Sequence, residues 1–315
     1  MIVQPAKMTF PDKTFSMIIY GPPGVGKTTL AMSAPDPILI DFDRGLSRTK
    51  PNHRKTAIFA ENYESVLEDL KSPELAAYKT LVIDTGGSFV TYLQDWAMRS
   101  DPKVNQNKSG GISLKGHGAV KAEFVRFTNY VRDILHKNII HIFHSEEKAD
   151  RDGKPKQRIV CEGAAKTVVW TPCDFGGYIQ MIGQDRVICF TPEEEFFAKG
   201  CHGITGKYTI PVLGDNTPND FLTKLFDTAK RNIETENEAF ARIHERYESV
   251  MADIQEIIES VTDTESANRA AEDIQNLDHE LTSLREASAL LRDKTNSLGL
   301  KWSKEDNSYV LREGA

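Results

Sequence analysis

Eight residues constrain this chain more than any others: Gly21-Pro22-Pro23-Gly24-Val25-Gly26-Lys27-Thr28 fits the pattern G-x-x-x-x-G-K-[ST] in full. Ahead of it, Ser16-Met17-Ile18-Ile19-Tyr20 reads as a buried parallel strand, and behind it Thr29-Leu30-Ala31-Met32 opens a helix. A strand, a glycine-rich turn and a helix start in that order aim backbone N–H groups at one point, where phosphate oxygens can sit. Lys27 is expected to reach the β- and γ-phosphates and the Thr28 hydroxyl to ligate Mg²⁺, with the amides from Gly24 to Thr29 carrying most of the phosphate contacts. Gly21, Gly24, Val25, Gly26, Lys27, Thr28 and Thr29 are therefore the predicted nucleotide-binding residues, for ATP with Mg²⁺.

The rest of the chain supplies a setting for such a loop. Up to about Ile233, short apolar runs alternate with amphipathic stretches, which predicts βαβ units and an α/β fold with a mostly parallel central sheet. Strands are expected at Met17–Tyr20, Ile38–Phe42, Thr56–Phe59, Leu81–Asp84, Ile139–Phe143, Tyr178–Ile182, Val187–Phe190 and Glu195–Ala198. Helices are expected at Thr28–Ser33, Tyr63–Lys71, Phe89–Arg99, Ala119–His136 and Pro218–Arg231. Two long polar connections, 100–118 and 145–176, interrupt the rhythm, and connections of that length are usually functional or disordered. Beyond residue 233 the apolar residues take helical spacing, which predicts a hairpin of Ile233–Val261 and Ser266–Leu298 with a short tail pairing or docking after it. The domain reading is a core over 1–232 and an acidic helical domain over 233–315.

Composition narrows the function classes. With 39% apolar residues in 315, the chain can bury a proper core. It has no run of about 18 apolar residues and its first residues lack an apolar signal stretch, so a cytoplasmic location and no membrane partner are expected. Cys161, Cys173, Cys189 and Cys201 form no C-x-x-C pair, which argues against a zinc or redox motif. The net charge of −7 is unevenly placed: 233–315 holds 9 basic and 19 acidic residues, net −10, leaving net +3 for 1–232. The front part suits a polyanionic partner, while the back part suits a protein partner or is a solvated helical face.

Thr80-Leu81-Val82-Ile83-Asp84 is an apolar strand ending in an acid, the form expected of a second metal-binding strand, with Asp84 holding Mg²⁺ through water. Thr85 follows it, so the adjacent Asp-Glu pair of AAA+ enzymes is missing and the base must come from elsewhere. Ile40-Asp41-Phe42-Asp43 offers one at the end of a neighbouring strand, with Asp43 favoured over Asp41 because it lies nearer the loop rim.

These segments, in this order, resemble RecA-like ATPases. The chain is most similar to compact phage-encoded RecA-like P-loop ATPases of the single-strand annealing and recombination class, the AAA domain of phage nucleotide-binding proteins, over about residues 14–230. The resemblance implies that the strand Ile139–Phe143 lies between the two phosphate-site strands and that His144, where RecA has Gln, points at the γ-phosphate. It implies two DNA-contacting loops. The first carries Lys103, Lys108 and Lys115; the second carries Lys148, Arg151, Lys154, Lys156, Arg158 and Lys166. Lysines on mobile backbone suit sequence-independent binding of single-stranded DNA, although only Trp170 lies near as a stacking platform. It also implies that Lys199 reaches a neighbouring subunit's nucleotide, so that turnover needs a homo-oligomer, ring or filament. A phage origin would place the protein in the bacterial host cytoplasm.

Three classes thus fit the residues: a DNA-stimulated ATPase that promotes annealing or strand exchange, with Lys27, Asp43, Asp84, His144 and Lys199 as its catalytic set; an ATP-gated module that binds a protein partner through 233–315; and a P-loop small-molecule kinase, with Arg151 and Arg158 imitating a lid.

Overall fold

Every residue of Ser16–Gly21 (β1) is buried, as required of a strand covered by helices on both faces. The computed structural model, which describes residues 7–10, 13–150, 152–161, 168–214 and 216–312, places β1 inside a sheet built from most of the front part of the chain. In chain order follow α1 (Lys27–Ala31), β2 (Pro37–Asp41), β3 (Ala57–Phe59), α2 (Tyr63–Asp69), β4 (Thr80–Asp84), α3 (Gly86–Ser100), α4 (Pro102–Asn105), α5 (Leu114–Asn129), β5 (Asn138–Ala149), β6 (Pro155–Ile159), β7 (Phe175–Ile182), β8 (Asp185–Cys189) and β9 (Lys207–Thr209). Among the described residues the sheet has nine strands, in the order β3-β2-β4-β5-β1-β7-β8-β9, with β6 paired to the outer part of β5. From β3 to β7 all neighbours run parallel; β6, β8 and β9 are antiparallel additions.

Register brings the chemistry to one edge. Gly21 pairs with His144, and Asp41 with Asp84, so the carboxyl ends of four adjacent strands finish together. In open parallel sheets that is where ligands bind. Below the edge, Ile18, Tyr20, Ile83, Ile139 and Phe143 pack against Phe89, Leu93, Phe124 and Phe127 of α3 and α5. His141 lies in this apolar layer with its ring 5.0 Å from that of Phe124; neither ring nitrogen has a hydrogen-bond partner. Burial pushes its pKa down to about 3, so the imidazole is neutral. On the opposite face Phe15 lies 5.1 Å from Phe175 and 5.2 Å from Phe226, the latter in a long helix, α6 (Phe221–Ser260). The start of α6 is fastened to the end of α1: the Leu222 amide donates to Ser33 Oγ at 3.0 Å and the Thr223 amide to the Ser33 carbonyl at 3.0 Å.

Several elements differ from the sequence expectation, each for a local reason. The connection 100–118 is folded rather than open. Asp101 caps α4 with Pro102 at its first position, the buried Asn105 amide donates to the Ala97 carbonyl at 2.8 Å, and Ser113 caps α5. The connection 145–176 begins as an ordered antiparallel hairpin, because β5 continues past the sheet to Ala149 and turns through Gly153 into β6. No strand forms at Glu195–Ala198; only isolated bridges at Phe196 and Lys199 occur there, and β9 takes the sheet edge. The helix expected to stop at Arg231 runs on to Ser260, since neither Gly nor Pro interrupts it.

The chain divides into two compact units, Pro11–Asn232 and Ile233–Ala315 with Met1–Phe10. In the second unit the expected return arm is two helices, α7 (Thr264–Gln275) and α8 (Ser283–Ser297), followed by a hairpin of β10 (Leu300–Ser303) and β11 (Ser308–Leu311). Asp263 and Ser266 make the capping box that starts α7. His279, bonded to Ser283 Oγ at 2.9 Å and to the Ile274 carbonyl at 2.7 Å, spans the break between α7 and α8. Ile254, Ile258, Ala270, Ile274, Ala287, Leu291 and Leu300 form a core for this unit.

Candidate active site

The loop after β1 owes its shape to glycine. Gly24 and Gly26 have φ of 78° and 85°, in the left-handed region that side chains rarely enter. A Cβ on Gly26 would also stand 2.3 Å from Arg186 Nη1. Lys27 follows and is buried; its ammonium donates to the carbonyls of Gly21 at 3.0 Å and Pro22 at 2.7 Å. Burial pulls its pKa down to about 8, against the opposing field of Asp84. The Thr28 hydroxyl donates to Asp84 Oδ2 at 2.6 Å, joining α1 to the end of β4. Burial raises Asp84 to about 6, although the Thr28 hydrogen bond favours its charged form.

Asp41 and Asp43 are separated by their partners. Asp41 is buried and accepts the amides of Gly45 at 2.9 Å and Leu46 at 3.0 Å, which fixes the turn after β2. Asp43 lines the cavity and meets Arg48 at 3.4 Å; burial raises its pKa and Arg48 opposes the shift. His144, at the end of the in-sheet part of β5, also lines the cavity, with Nδ1 buried and without a hydrogen-bond partner. Burial, then the charge of Lys27, lowers its pKa. One cavity of about 740 Å³ thus holds Gly24, Val25, Gly26, Lys27, Thr28, Thr29, Asp43, Asp84 and His144 together.

Other predicted residues lie elsewhere. Lys199 is outside the cavity and its ammonium donates to the Cys173 carbonyl. Lys103, Lys108 and Lys115 are exposed on the folded 100–118 segment. On the β5–β6 hairpin, Lys148 pairs with Glu146 at 2.8 Å and Lys154 with Glu194 at 3.0 Å, while Lys156 lies 4.2 Å and Arg158 5.9 Å from the Phe197 ring centre. Arg151 and Lys166 fall outside the described residues.

The cavity also takes in residues that sequence reasoning missed: Arg48, Lys50 and His53 after β2, and Met181, Arg186 and Val212 on the far side. The first group had a signal, since Arg44, Arg48, Lys50, Arg54 and Lys55 crowd into a short run directly after the acid-bearing strand. The second group had none, because no motif or spacing links β7, β8 and the segment after β9.

Thr28 and Asp84 offer hard oxygen atoms in contact with one another beside a buried lysine, a donor set that suits Mg²⁺ carried on a triphosphate. Thr85 caps α3, its hydroxyl accepting from the Ser88 amide at 3.3 Å, so it is not a second acid in this position. Among the described residues no helix is long and apolar enough to cross a membrane. No curated protein matches the chain. The family model of the AAA domain matches residues 13–202, more than half of the chain and the whole of the phosphate site, and the protein therefore belongs to this AAA family of P-loop ATPase domains.

Proposed function

We propose that the protein hydrolyses Mg²⁺·ATP as a RecA-like, phage-encoded recombination ATPase, and that it binds single-stranded DNA to promote annealing or strand exchange. The observation that carries the first half is the 2.6 Å contact of Thr28 with Asp84 beside the buried Lys27, which joins the start of α1 to the end of β4 in one grip. Lys27 and the loop amides neutralise the β- and γ-phosphates, and Thr28 with Asp84 holds the Mg²⁺. When bound, the ion draws charge off the phosphate oxygens. Asp43, which lines the cavity, is the carboxylate that orients a water at the γ-phosphate and accepts its proton as the bond to the leaving diphosphate breaks, since Asp41 is tied to the backbone.

The DNA half rests on β5. His144 lines the nucleotide cavity, and the same strand continues directly into the hairpin that carries Lys148, Lys154, Lys156 and Arg158. A hydrogen bond from His144 to the γ-phosphate, made in one state and broken after hydrolysis, would be felt along that strand. Assembly into a homo-oligomer, with Lys199 reaching across, belongs to the same reading, as does the host cytoplasm. A second reading, a protein partner held by 233–315, is favoured by the net −10 charge of those residues and by their own core.

The test is ATP turnover with and without single-stranded DNA, for the native protein, Lys27→Ala and Asp43→Asn. Lys27→Ala is expected to lose turnover by about 100-fold or more, and Asp43→Asn to lose kcat while still binding ATP. Turnover that ignores DNA removes the recombination reading; a phosphorylated acceptor in place of free phosphate makes the protein a kinase.

A further inference from the structure

The two ends of β1 have different surroundings. Its carboxyl end delivers the phosphate loop, whereas its amino end, Ser16, meets a cluster of side chains that the nucleotide cavity does not use. Asp174, the residue before β7, accepts the Ser16 amide at Oδ2 (2.8 Å) and the Lys13 ammonium at Oδ1 (3.1 Å). The segment between β8 and β9 brings Cys201 and His202 to the same carboxylate. One ligand atom from each of the three residues lies within 4.8 Å of the other two, and all three residues are part-buried.

Carboxylate oxygen, thiolate sulfur and imidazole nitrogen are the donors that Zn²⁺ takes, at bonds of about 2.0–2.3 Å that set ligand atoms roughly 3–4 Å apart on one ion. The three groups face one another without satisfying one another. Among the described residues the hydrogen bonds to the Asp174 carboxylate come from Lys13 and Ser16, and the one at His202 is accepted by its carbonyl, from Asn232 Nδ2 at 2.8 Å. That bond and the rings of Phe15 and Phe175, 6.0 and 6.5 Å from the imidazole, hold His202 in place. Its backbone is left-handed, with φ of 50°, a strained turn at which consecutive residues reach one carboxylate. The carboxylate keeps room for a metal, because each oxygen has two lone-pair sites and gives one to Ser16 or Lys13. Such outer partners orient a ligand, and the Lys13 charge offsets one of the two negative charges that carboxylate and thiolate bring.

We propose that Asp174, Cys201 and His202 bind one Zn²⁺, with a water completing the tetrahedron. Binding breaks the S–H bond of Cys201 and forms an S–Zn bond, and the proton passes to solvent. The ion ties the starts of β1 and β7 to the segment between β8 and β9, and through Asn232 to α6, at the edge of the sheet opposite the phosphate loop. Its effect is therefore on the stability of the nucleotide-binding unit and not on a phosphate step. The cysteine spacing gave no sign of it, since folding brings Asp174 to the Cys201-His202 pair from the far side of a strand hairpin.

The test strips the untagged full-length protein with a chelator and titrates it with Co²⁺, a spectroscopic stand-in, and then with Zn²⁺. A thiolate-to-Co²⁺ charge-transfer band in the near ultraviolet is expected, saturating at one ion per chain and lost as Zn²⁺ displaces the cobalt. No cysteine lines the phosphate cavity, so an ion bound there gives no such band. Thermal unfolding is expected to move up by about 5 °C or more when free Zn²⁺ is about 100-fold above Kd. Cys201→Ser is expected to abolish the band, and His202→Asn, a residue that tolerates the left-handed backbone, to weaken Zn²⁺ binding at least about tenfold. Absence of both the band and the thermal shift overturns the site. A band that survives Cys201→Ser also overturns it, placing the metal on another cysteine, as does unchanged Zn²⁺ affinity in His202→Asn, which decides alone if Cys201→Ser does not fold.

Discussion

Lys27 and Asp84 are shifted toward each other by the same cause. Burial penalises the charge of each, bringing the lysine down to about 8 and the carboxyl up to about 6. On the proposed roles both charges are needed to take up Mg²⁺·ATP, which confines competence to the range between those values. The sign is fixed on each limb: Asp84 loses its charge as pH falls through about 6, and Lys27 loses its charge as pH rises through about 8. A plot of kcat/KM against pH, which reports groups of the free enzyme, is expected to be a bell with limbs near these two values. Asp84→Asn should remove the acid limb along with most of the Mg²⁺ affinity, read by titrating the metal at fixed ATP. A flat profile from about pH 5 to 9 would mean that neither charge matters to capture.

At the scale of elements, His141 and the β5–β6 hairpin make separate demands. The His141 ring is neutral in the fold, with a pKa of about 3 against an ordinary 6.5, so the unfolded chain binds a proton that the folded one refuses. Stability therefore falls as pH drops below about 6.5, by about 2 kcal/mol at pH 5. His141→Leu is expected to raise the unfolding free energy at pH 7 by about 1–3 kcal/mol from removing two buried unpartnered nitrogens, read as a higher urea midpoint, and to flatten the decline at pH 5. In the hairpin, Lys156 and Arg158 share the Phe197 ring, whereas Lys148 and Lys154 face glutamates. Replacing Lys156 and Arg158 with Gln should lower the salt slope of single-stranded DNA binding by about 0.7 for each phosphate no longer neutralised; equal slopes would exclude them from the interface. The strands that hold the phosphate site were legible because buried parallel strands are continuous apolar runs ending in an acid or a glycine, as Thr80–Asp84 does. The hairpin was not, since Glu146–Ala149 and Pro155–Arg158 are dominated by polar residues and owe their strand form to each other. The same limit hid the cavity wall at Arg186 and Val212, which only the antiparallel edge of the sheet brings to the loop.

For the whole molecule, the border between the two units falls inside α6, so a truncation has to respect what the first turns of that helix do. Leu222, Leu225, Phe226 and Ala229 are buried in the nucleotide-binding unit. A chain ending at Asn232 is expected to keep a cooperative thermal transition and ATP turnover; one ending at Asp220 is expected to show neither, as followed by circular dichroism and phosphate release. The stitch between Ser33 and the first turn of α6, with Phe226 closing the ring cluster begun by Phe15, also sets the order of events during synthesis. The strand and loop that grip phosphate leave the ribosome early, but the layer that covers their far side arrives only after more than half of the chain has been translated. Until then that apolar face of the nascent sheet lacks part of its cover, which makes it a natural stretch for a chaperone to shield.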